Sequence, residues 1–133
     1  MNIRKANEND IPRIVELLHE KDLQIADGSY FDEGVSIYLG DLFLVAEKDN
    51  KIVGTVFGEF ILDGAMLWEI TVNQNYRKQG IGEQLLITFE KIVEENKKHF
   101  ILLYSSTKKE VERFYRNRGY FGSMQFIEMK KVF

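Results

Sequence analysis

The chain has 133 residues, of which 44% are hydrophobic and 29% are charged, and its formal net charge is −3 at pH 7. This length suits one domain with one core, and no apolar run approaches the roughly 18 residues of a membrane span. The absence of cysteine excludes disulfides, thiolate metal sites and a cysteine nucleophile, and the acidic balance argues against nucleic-acid binding.

The first 40 residues predict one strand and one amphipathic helix. Residues 2–6 have the pattern of a short strand, and Asn7 begins N-E-N-D, an N-cap with an acid three residues later. The apolar residues that follow recur at helical spacing: Ile11, Ile14, Val15 and Leu18. We therefore predict a helix to about Glu20. Residues 21–40 are irregular, with one short helix over residues 32–39.

Three apolar segments in the middle of the chain, residues 42–48, 51–62 and 65–72, predict antiparallel strands. The dipeptides Asp49-Asn50 and Asp63-Gly64 between them are typical of tight hairpin turns.

The second hairpin has a register that can be counted from its turn. With Asp63-Gly64 as a two-residue loop, Gly58 lies opposite Glu69, which predicts open space in front of that carboxylate. Trp68 lies on the same strand face as Met66 and Ile70, so we predict that it belongs to the core.

The C-terminal half predicts two helices and two strands. The helices cover residues 81–96 and the apolar stripe around Val111, with Gly119 in the C′ position of the second. Residues 100–104 form a run typical of a strand covered on both faces, and residues 125–133 form a last strand. The order predicts an α/β (α+β) fold in a single domain over residues 1–133. Its sheet is mixed and mainly antiparallel, with helices on both faces.

A glycine-containing loop joins the strand that ends at Val72 to the next helix. Its sequence is Arg77-Lys78-Gln79-Gly80-Ile81-Gly82. Unpaired N–H groups at a helix start and two nearby cations favour a phosphate, whereas the P-loop and GxGxxG patterns are absent or incomplete. We interpret the loop as a phosphate site, with a plain helix start as the alternative.

Two segments resemble the GNAT family of N-acetyltransferases. NQNYRKQGIGEQLL is similar to the family's acetyl-CoA pyrophosphate loop, with Arg77, Gly80 and Gly82 at the fixed positions. FYRNRGY is similar to its later Tyr-x-x-x-Gly-Phe segment, with Tyr120 in place of Phe. The family's usual Asn before that segment corresponds to Lys108, and Ser105, Ser106 or Thr107 are its possible substitutes.

The resemblance implies acetyl-CoA as cosubstrate and acetyl transfer to a primary amine by direct attack in a ternary complex. The implied contacts to the cosubstrate are Ile70, Thr71, Val72, Arg77, Lys78, Gln79, Gly80, Ile81, Gly82 and Ser106. A non-catalytic acyl-CoA-binding or sensing module is the alternative function.

The resemblance also implies an acid and a base. Alkylamines are mostly protonated at pH 7, so a base is required, and Glu69 lies in the family's frequent base position. Glu59, water alone, or a merely solvated Glu69 are the alternatives. Tyr115 matches the motif tyrosine and is the candidate acid for the CoA thiolate, against a purely packing role. The weaker candidate donors are Tyr30, Tyr38 and Tyr104.

Charge is divided unevenly along the chain. Residues 1–72 hold 6 Lys+Arg and 14 Asp+Glu, whereas residues 73–133 hold 12 and 7. The acidic residues Asp22, Asp27, Asp32 and Glu33 lie where the family binds its acceptor, which favours a cationic small-molecule or peptide amine.

The remaining expectations concern partners and location. We expect no nucleic-acid or membrane partner, a monomer or homodimer, and no metal site, because His19 and His99 are isolated. The first residues, MNIRKANEND, contain no apolar leader segment, which predicts a cytoplasmic protein.

Overall fold

The structure, a computed structural model, describes residues 1–20 and 33–125 together with residues 127, 129, 131 and 133. The chain divides into two compact units, Met1–Leu103 and Tyr104–Phe133. The strands are β1 (Asn2–Lys5), β2 (Phe43–Lys48), β3 (Lys51–Ile61), β4 (Gly64–Val72) and β5 (Ile101–Leu102). The helices are α1 (Ile11–Glu20), α2 (Ile81–Glu95) and α3 (Lys109–Arg116). Short 3₁₀ helices cover Glu8–Asp10, Glu33–Tyr38 and Gln74–Tyr76.

The first unit is built on a five-stranded sheet with its strands in chain order. Neighbouring strands are antiparallel except β4 and β5, which are parallel, so the mixed and mainly antiparallel sheet is confirmed. The β2–β3 turn is also confirmed, since Asp49 and Asn50 both have positive φ, as a two-residue hairpin turn of the right twist requires.

Helices α1 and α2 cover opposite faces of this sheet. Ile14 of α1 belongs to one buried cluster with Phe43 and Phe57. Gly58, the next residue of β3, faces Phe89 of α2, and successive strand residues point to opposite faces. The core of the first unit therefore has two layers, one on each side of β2 and β3.

The prediction for residues 100–104 is only partly right. The strand is limited to Ile101–Leu102, which pair with Ala65 and Met66. Phe100 is 42% exposed and Leu102 is 37% exposed, so this strand is not covered on both faces.

Helix α3 belongs to the second unit and ends as predicted. The N–H of Tyr120 donates to the carbonyl of Tyr115, and the N–H of Gly119 donates to that of Arg116. This pattern is a Schellman motif with Gly119 at C′, where φ is +90°, a conformation that glycine adopts without strain.

The predicted strand over residues 125–133 is wrong for the residues that the structure describes. Residues 125, 127, 129, 131 and 133 lie in no strand. Ile127 and Met129 are 88% and 89% exposed, and an apolar strand without a covering layer or a paired edge has nothing to stabilise it.

The start of α1 is fixed by a buried carboxylate. Asn7 and Asp10 form a capping box, as the N-E-N-D pattern predicts. The Asp10 carboxylate also accepts hydrogen bonds from Arg4 Nη1 at 2.7 Å and Nη2 at 2.9 Å. The hydrogen bonds from Arg4, helped by the N–H of Asn7 and opposed by burial, hold the pKa of Asp10 below its ordinary value of 3.8.

We expect Asp10→Asn to lower the free energy of unfolding at pH 7 by about 1–2 kcal/mol, because the charged hydrogen bonds to a part-exposed Arg4 are lost. A lowered pKa stabilises the native state above pH 3.8, and this contribution disappears as the pH falls through the folded pKa. The difference between the two proteins in urea denaturation should therefore shrink below about pH 4. Glu8→Gln, an equal charge change in the same turn, is the control. Equal stabilities of Asp10→Asn and the unsubstituted protein at pH 7 would contradict this.

Candidate functional site

A β-bulge interrupts the pairing of β3 and β4. Gly58 pairs with Leu67, but Phe57 pairs with Glu69, so Trp68 is the extra residue of β4. The turn residues are Leu62 and Asp63, because Ile61 pairs with Gly64. The predicted register, with Gly58 opposite Glu69, is therefore wrong.

The space predicted in front of Glu69 does not exist at Gly58. A Cβ atom at Gly58 would lie 2.0 Å from the carbonyl oxygen of Met66 and 2.8 Å from Cζ of Phe89. The space beside Gly58 is thus filled by Phe89 of helix α2, on the sheet face opposite Phe57. Glu69 pairs with Phe57, so the bulge puts Glu69 on the α1 side of the sheet.

Two carboxylates lie at this bulge. Glu69 is half-buried, and its Oε1 accepts a hydrogen bond from the N–H of Ile70 at 3.1 Å. Glu59 is exposed, and its Oε2 accepts a hydrogen bond from Nε1 of Trp68 at 3.2 Å. Trp68 is 42% exposed, which overturns its predicted place in the core, because a bulged residue leaves the alternation of its strand.

Only the first part of β4 pairs with β5. Among the described strands, β5 pairs with Ala65 and Met66, and residues 69–72 pair with β3 on the other side. Thr71 in this stretch is buried, and its hydroxyl has no hydrogen-bond partner among the described residues. The neighbouring predicted contacts Ile70 and Val72 are half-buried.

The N-terminus of α2 follows β4 in the chain, after the glycine-containing loop. Gly80 is its N-cap, with φ +80°, and it makes no side-chain cap. A Cβ at Gly80 would meet no atom within 4 Å, so the space above the first-turn N–H groups is open. Lys78 also has positive φ (60°), and Arg77 Nε donates to the carbonyl of Val72 at 3.3 Å. The loop thus combines two cations with the positive end of a 15-residue helix.

The rest of the loop is held against the sheet. Lys48 Nζ donates to Oε1 of Gln79 at 2.7 Å. Ile81 is buried, and its Cγ2 lies 3.3 Å from where a Cβ of Gly54 would be. Gly82 is half-buried in the first turn of α2. The loop and β4 are thus parts of one unit.

The remaining candidates lie in the second unit. Tyr115 is buried, and its ring makes edge contacts with Phe114 at 5.1 Å and Tyr120 at 5.6 Å between centroids. Ser106 Oγ accepts a hydrogen bond from the N–H of Lys108 at 3.2 Å, and Tyr104 is exposed.

Residues 40–120, which include the loop, the bulge and α3, match the family model of the acetyltransferase (GNAT) domain. The chain belongs to the GNAT family. This confirms the resemblance carried by the loop and by the segment around Tyr115. No curated protein matches this GNAT chain.

Several solved structures share the fold of this GNAT chain. An aminoglycoside acetyltransferase from an uncultured soil metagenomic sample, in complex with sisomicin, has a TM-score of 0.75 and 21% identity, covering 99% of this chain and 95% of its own. PaiA N-acetyltransferase from Thermoplasma acidophilum, in complex with coenzyme A, has a TM-score of 0.76 and 20% identity, and the match covers 95% of this chain and 92% of the PaiA chain. A transcriptional regulator from Bacillus halodurans C-125 has a TM-score of 0.75 and 22% identity, covering 98% and 99%.

Acetyl-CoA is the cosubstrate of the GNAT family, and the residues present fit it. The N-terminus of α2, with no side-chain cap and with open space at Gly80, suits a pyrophosphate. Among the described residues, no cluster of His, Asp and Glu is arranged to hold a metal ion. Nor does any described helix combine the length and apolar character needed to cross a membrane.

Sequence reasoning on this GNAT chain missed the bulge and its tryptophan. The register count assumed a turn at Asp63-Gly64, whereas the turn lies at Leu62-Asp63, and neither turn by itself places an extra residue in β4. Asp22, Asp27, Asp32 and Tyr30 lie outside the described residues, and Glu33 begins a 3₁₀ helix.

Proposed function

We propose that the protein is an N-acetyltransferase that moves the acetyl group of acetyl-CoA to a primary amine of a small molecule. The observation that carries this proposal is the junction of β4 and α2, where a helix start without a side-chain cap and with open space at Gly80 follows two exposed cations. The fold shared with aminoglycoside acetyltransferases supports an amine of a small molecule as acceptor.

The β4–α2 junction supplies the groups that would hold acetyl-CoA. First-turn N–H groups after Gly80, together with Arg77 and Lys78, bind the pyrophosphate, because these donors and cations complement its charge. The backbone of residues 70–72 is proposed as a contact to the pantetheine arm by resemblance to the family. Ser106 is proposed as a further contact by resemblance to the family.

Glu69 is proposed as the base. When bound, acetyl-CoA supplies an activated thioester carbonyl, which an uncharged amine attacks directly because the chain has no cysteine to carry the acetyl group. Glu69 accepts the proton that the amine must lose, directly or through one water. Its half-burial at the bulge supports this role over that of Glu59, which is exposed.

Tyr115 is proposed as the acid. A phenol has a pKa of about 10, so its hydroxyl can donate a proton to a departing thiolate. Its position in the motif FYRNRGY supports this assignment, and its edge contacts with two rings hold it in one orientation.

The proposed function is tested by free-thiol release from acetyl-CoA with a panel of small amines. Amine-dependent release with formation of the N-acetyl product supports the enzyme. Saturable acetyl-CoA binding without release for any amine would overturn it in favour of a sensing module, the use suggested by the similarity to a transcriptional regulator.

We expect the double variant Arg77→Gln/Lys78→Gln to raise the Kd for acetyl-CoA about 10-fold, since two phosphate-facing charges are lost. The effect should weaken at high salt, because both side chains are exposed. Isothermal titration at low and high salt measures it. Lys91→Gln/Lys97→Gln, which removes one exposed charge from α2 and one from just beyond its C-terminus, is the control. Equal Kd values for the two double variants would contradict a pyrophosphate site in the loop.

A further inference from the structure

An aromatic–acid cluster lies beside the bulge and consists of Tyr38, Glu59 and Trp68. The ring centroid of Trp68 is 6.3 Å from that of Tyr38, with the planes tilted by 46°. Tyr38 in turn stacks at 5.4 Å on Phe57, which is 1% exposed. The cluster therefore lies at the surface and packs on the core of the first unit through Tyr38.

The hydrogen bond from Trp68 Nε1 to Glu59 Oε2 orients these two side chains of the cluster. It ties a carboxylate to the edge of the indole while both side chains stay exposed. Within the described part of the chain, Glu59 takes part in no ion pair. Two tilted ring faces beside a carboxylate form a surface that attracts an ammonium group by both cation–π and charge interactions.

An open groove of about 310 Å³ runs past the cluster and is lined by residues 37–42 and 58–60. Its lining includes Tyr38 and Glu59, so a ligand in the groove reaches two members of the cluster. The other carboxylate of the groove, Asp41, is paired with Lys5 at 2.5 Å. Glu59 is thus the carboxylate that the groove leaves available to a cation.

We propose that Tyr38, Glu59 and Trp68 bind a second, charged nitrogen of the acceptor, which makes the substrate class an amine with a further ammonium group. This inference rests on the proposed function. Glu69 adjoins Trp68 in the chain and pairs with Phe57, the residue on which Tyr38 stacks. The proposed base and the cation site are therefore neighbours.

The chemistry of the cluster decides which nitrogen it holds. Aromatic faces and a carboxylate favour the charged form of an amine and raise its pKa. Acetyl transfer needs the uncharged form. A nitrogen held by the cluster is therefore a poor nucleophile, so the cluster suits the nitrogen that does not react.

Trp68 is the single tryptophan of the chain, so its fluorescence reports directly on the cluster. We expect α,ω-diaminoalkanes of three to six carbons to cause a saturable change in fluorescence, and the matching diols to cause none. Glu59→Gln should raise the Kd of the best diamine about three- to five-fold. Glu94→Gln, an exposed carboxylate on α2, is the control and should leave this Kd unchanged.

The kinetic test compares each diamine with the amino alcohol of equal length, in which a hydroxyl replaces the second ammonium. We expect kcat/KM for the best diamine to exceed that of its amino alcohol about 10-fold. Trp68→Leu and Glu59→Gln should reduce this ratio toward the two-fold that the two equivalent amines of the diamine give by themselves. Phe100→Leu, which removes an aromatic side chain that is also 42% exposed, should keep the ratio.

The outcomes separate this inference from the proposed function. If no amine releases thiol but diamines still bind at Trp68, the proposed enzyme fails and the cation site stands. If amines are acetylated but diamines show no preference and no fluorescence change, the cation site fails alone. If Glu59→Gln lowers kcat equally for both acceptors, Glu59 acts as the base and the inference is overturned.

Discussion

Tyr115→Phe lowers kcat by about 100-fold and leaves the Kd for acetyl-CoA within two-fold of the unsubstituted protein, if Tyr115 protonates the departing thiolate. The substitution removes one hydroxyl group and keeps the ring. The edge contacts with Phe114 and Tyr120 are therefore retained, and the packing of the second unit should be unchanged. Steady-state kinetics give kcat, and isothermal titration gives the Kd.

Tyr120→Phe is the matched control for this result. Tyr120 touches Tyr115, and phenylalanine is the residue that the family pattern has at its position. A 100-fold loss in Tyr115→Phe with little change in Tyr120→Phe assigns the acid role to one hydroxyl. Normal turnover in Tyr115→Phe would remove that role and leave Tyr115 as a packing residue.

Gly58→Ala lowers the free energy of unfolding by roughly 3 kcal/mol or more. The added methyl group would lie 2.0 Å from the carbonyl oxygen of Met66 and 2.8 Å from Phe89. Met66 is paired with both Glu59 and Leu102, and Phe89 is fully buried, so neither side can move without disturbing the sheet or the core. Urea denaturation measures the loss, and the thermal midpoint should fall by about 10 °C.

Gly40→Ala separates this steric effect from the general effect of replacing a glycine. A Cβ at Gly40 would have one neighbour, the carbonyl oxygen of Tyr38, at an ordinary 3.8 Å. We expect its stability to stay within about 1 kcal/mol of the original, because alanine also restricts the unfolded chain. A Gly58→Ala protein as stable as Gly40→Ala would show that β3 and α2 are not in close contact at the bulge.

The sequence correctly predicted features that depend only on neighbouring residues, such as helix caps and tight turns. The capping box of Asn7 and Asp10 and the left-handed turn at Asp49-Asn50 depend on hydrogen bonds and φ values within a few residues. The Schellman end of α3 at Gly119 is of the same kind. Residues that determine such features are adjacent in the chain, so a single sequence contains the information.

The bulge could not be predicted in this way. Both possible turns, at Asp63-Gly64 and at Leu62-Asp63, fit the same apolar pattern, and the observed one requires φ +45° at Leu62. Phe89, about thirty residues away in the chain, lies against Gly58 at the bulge. Long-range packing of this kind is not recorded in the local pattern of the hairpin, so its register could not be read from that pattern alone.

By itself, the sequence indicated a GNAT domain, which the family match confirms, and it located the loop proposed to bind phosphate, because a helix start, two glycines and two cations are contiguous between residues 77 and 82. Only the tertiary structure decided which face of the sheet Glu69 occupies. One extra residue in β4 moves that carboxylate from the α2 side to the α1 side and exposes Trp68 beside Glu59. The physical reason is the two-residue period of a strand, in which a single inserted residue exchanges the two faces for every residue that follows.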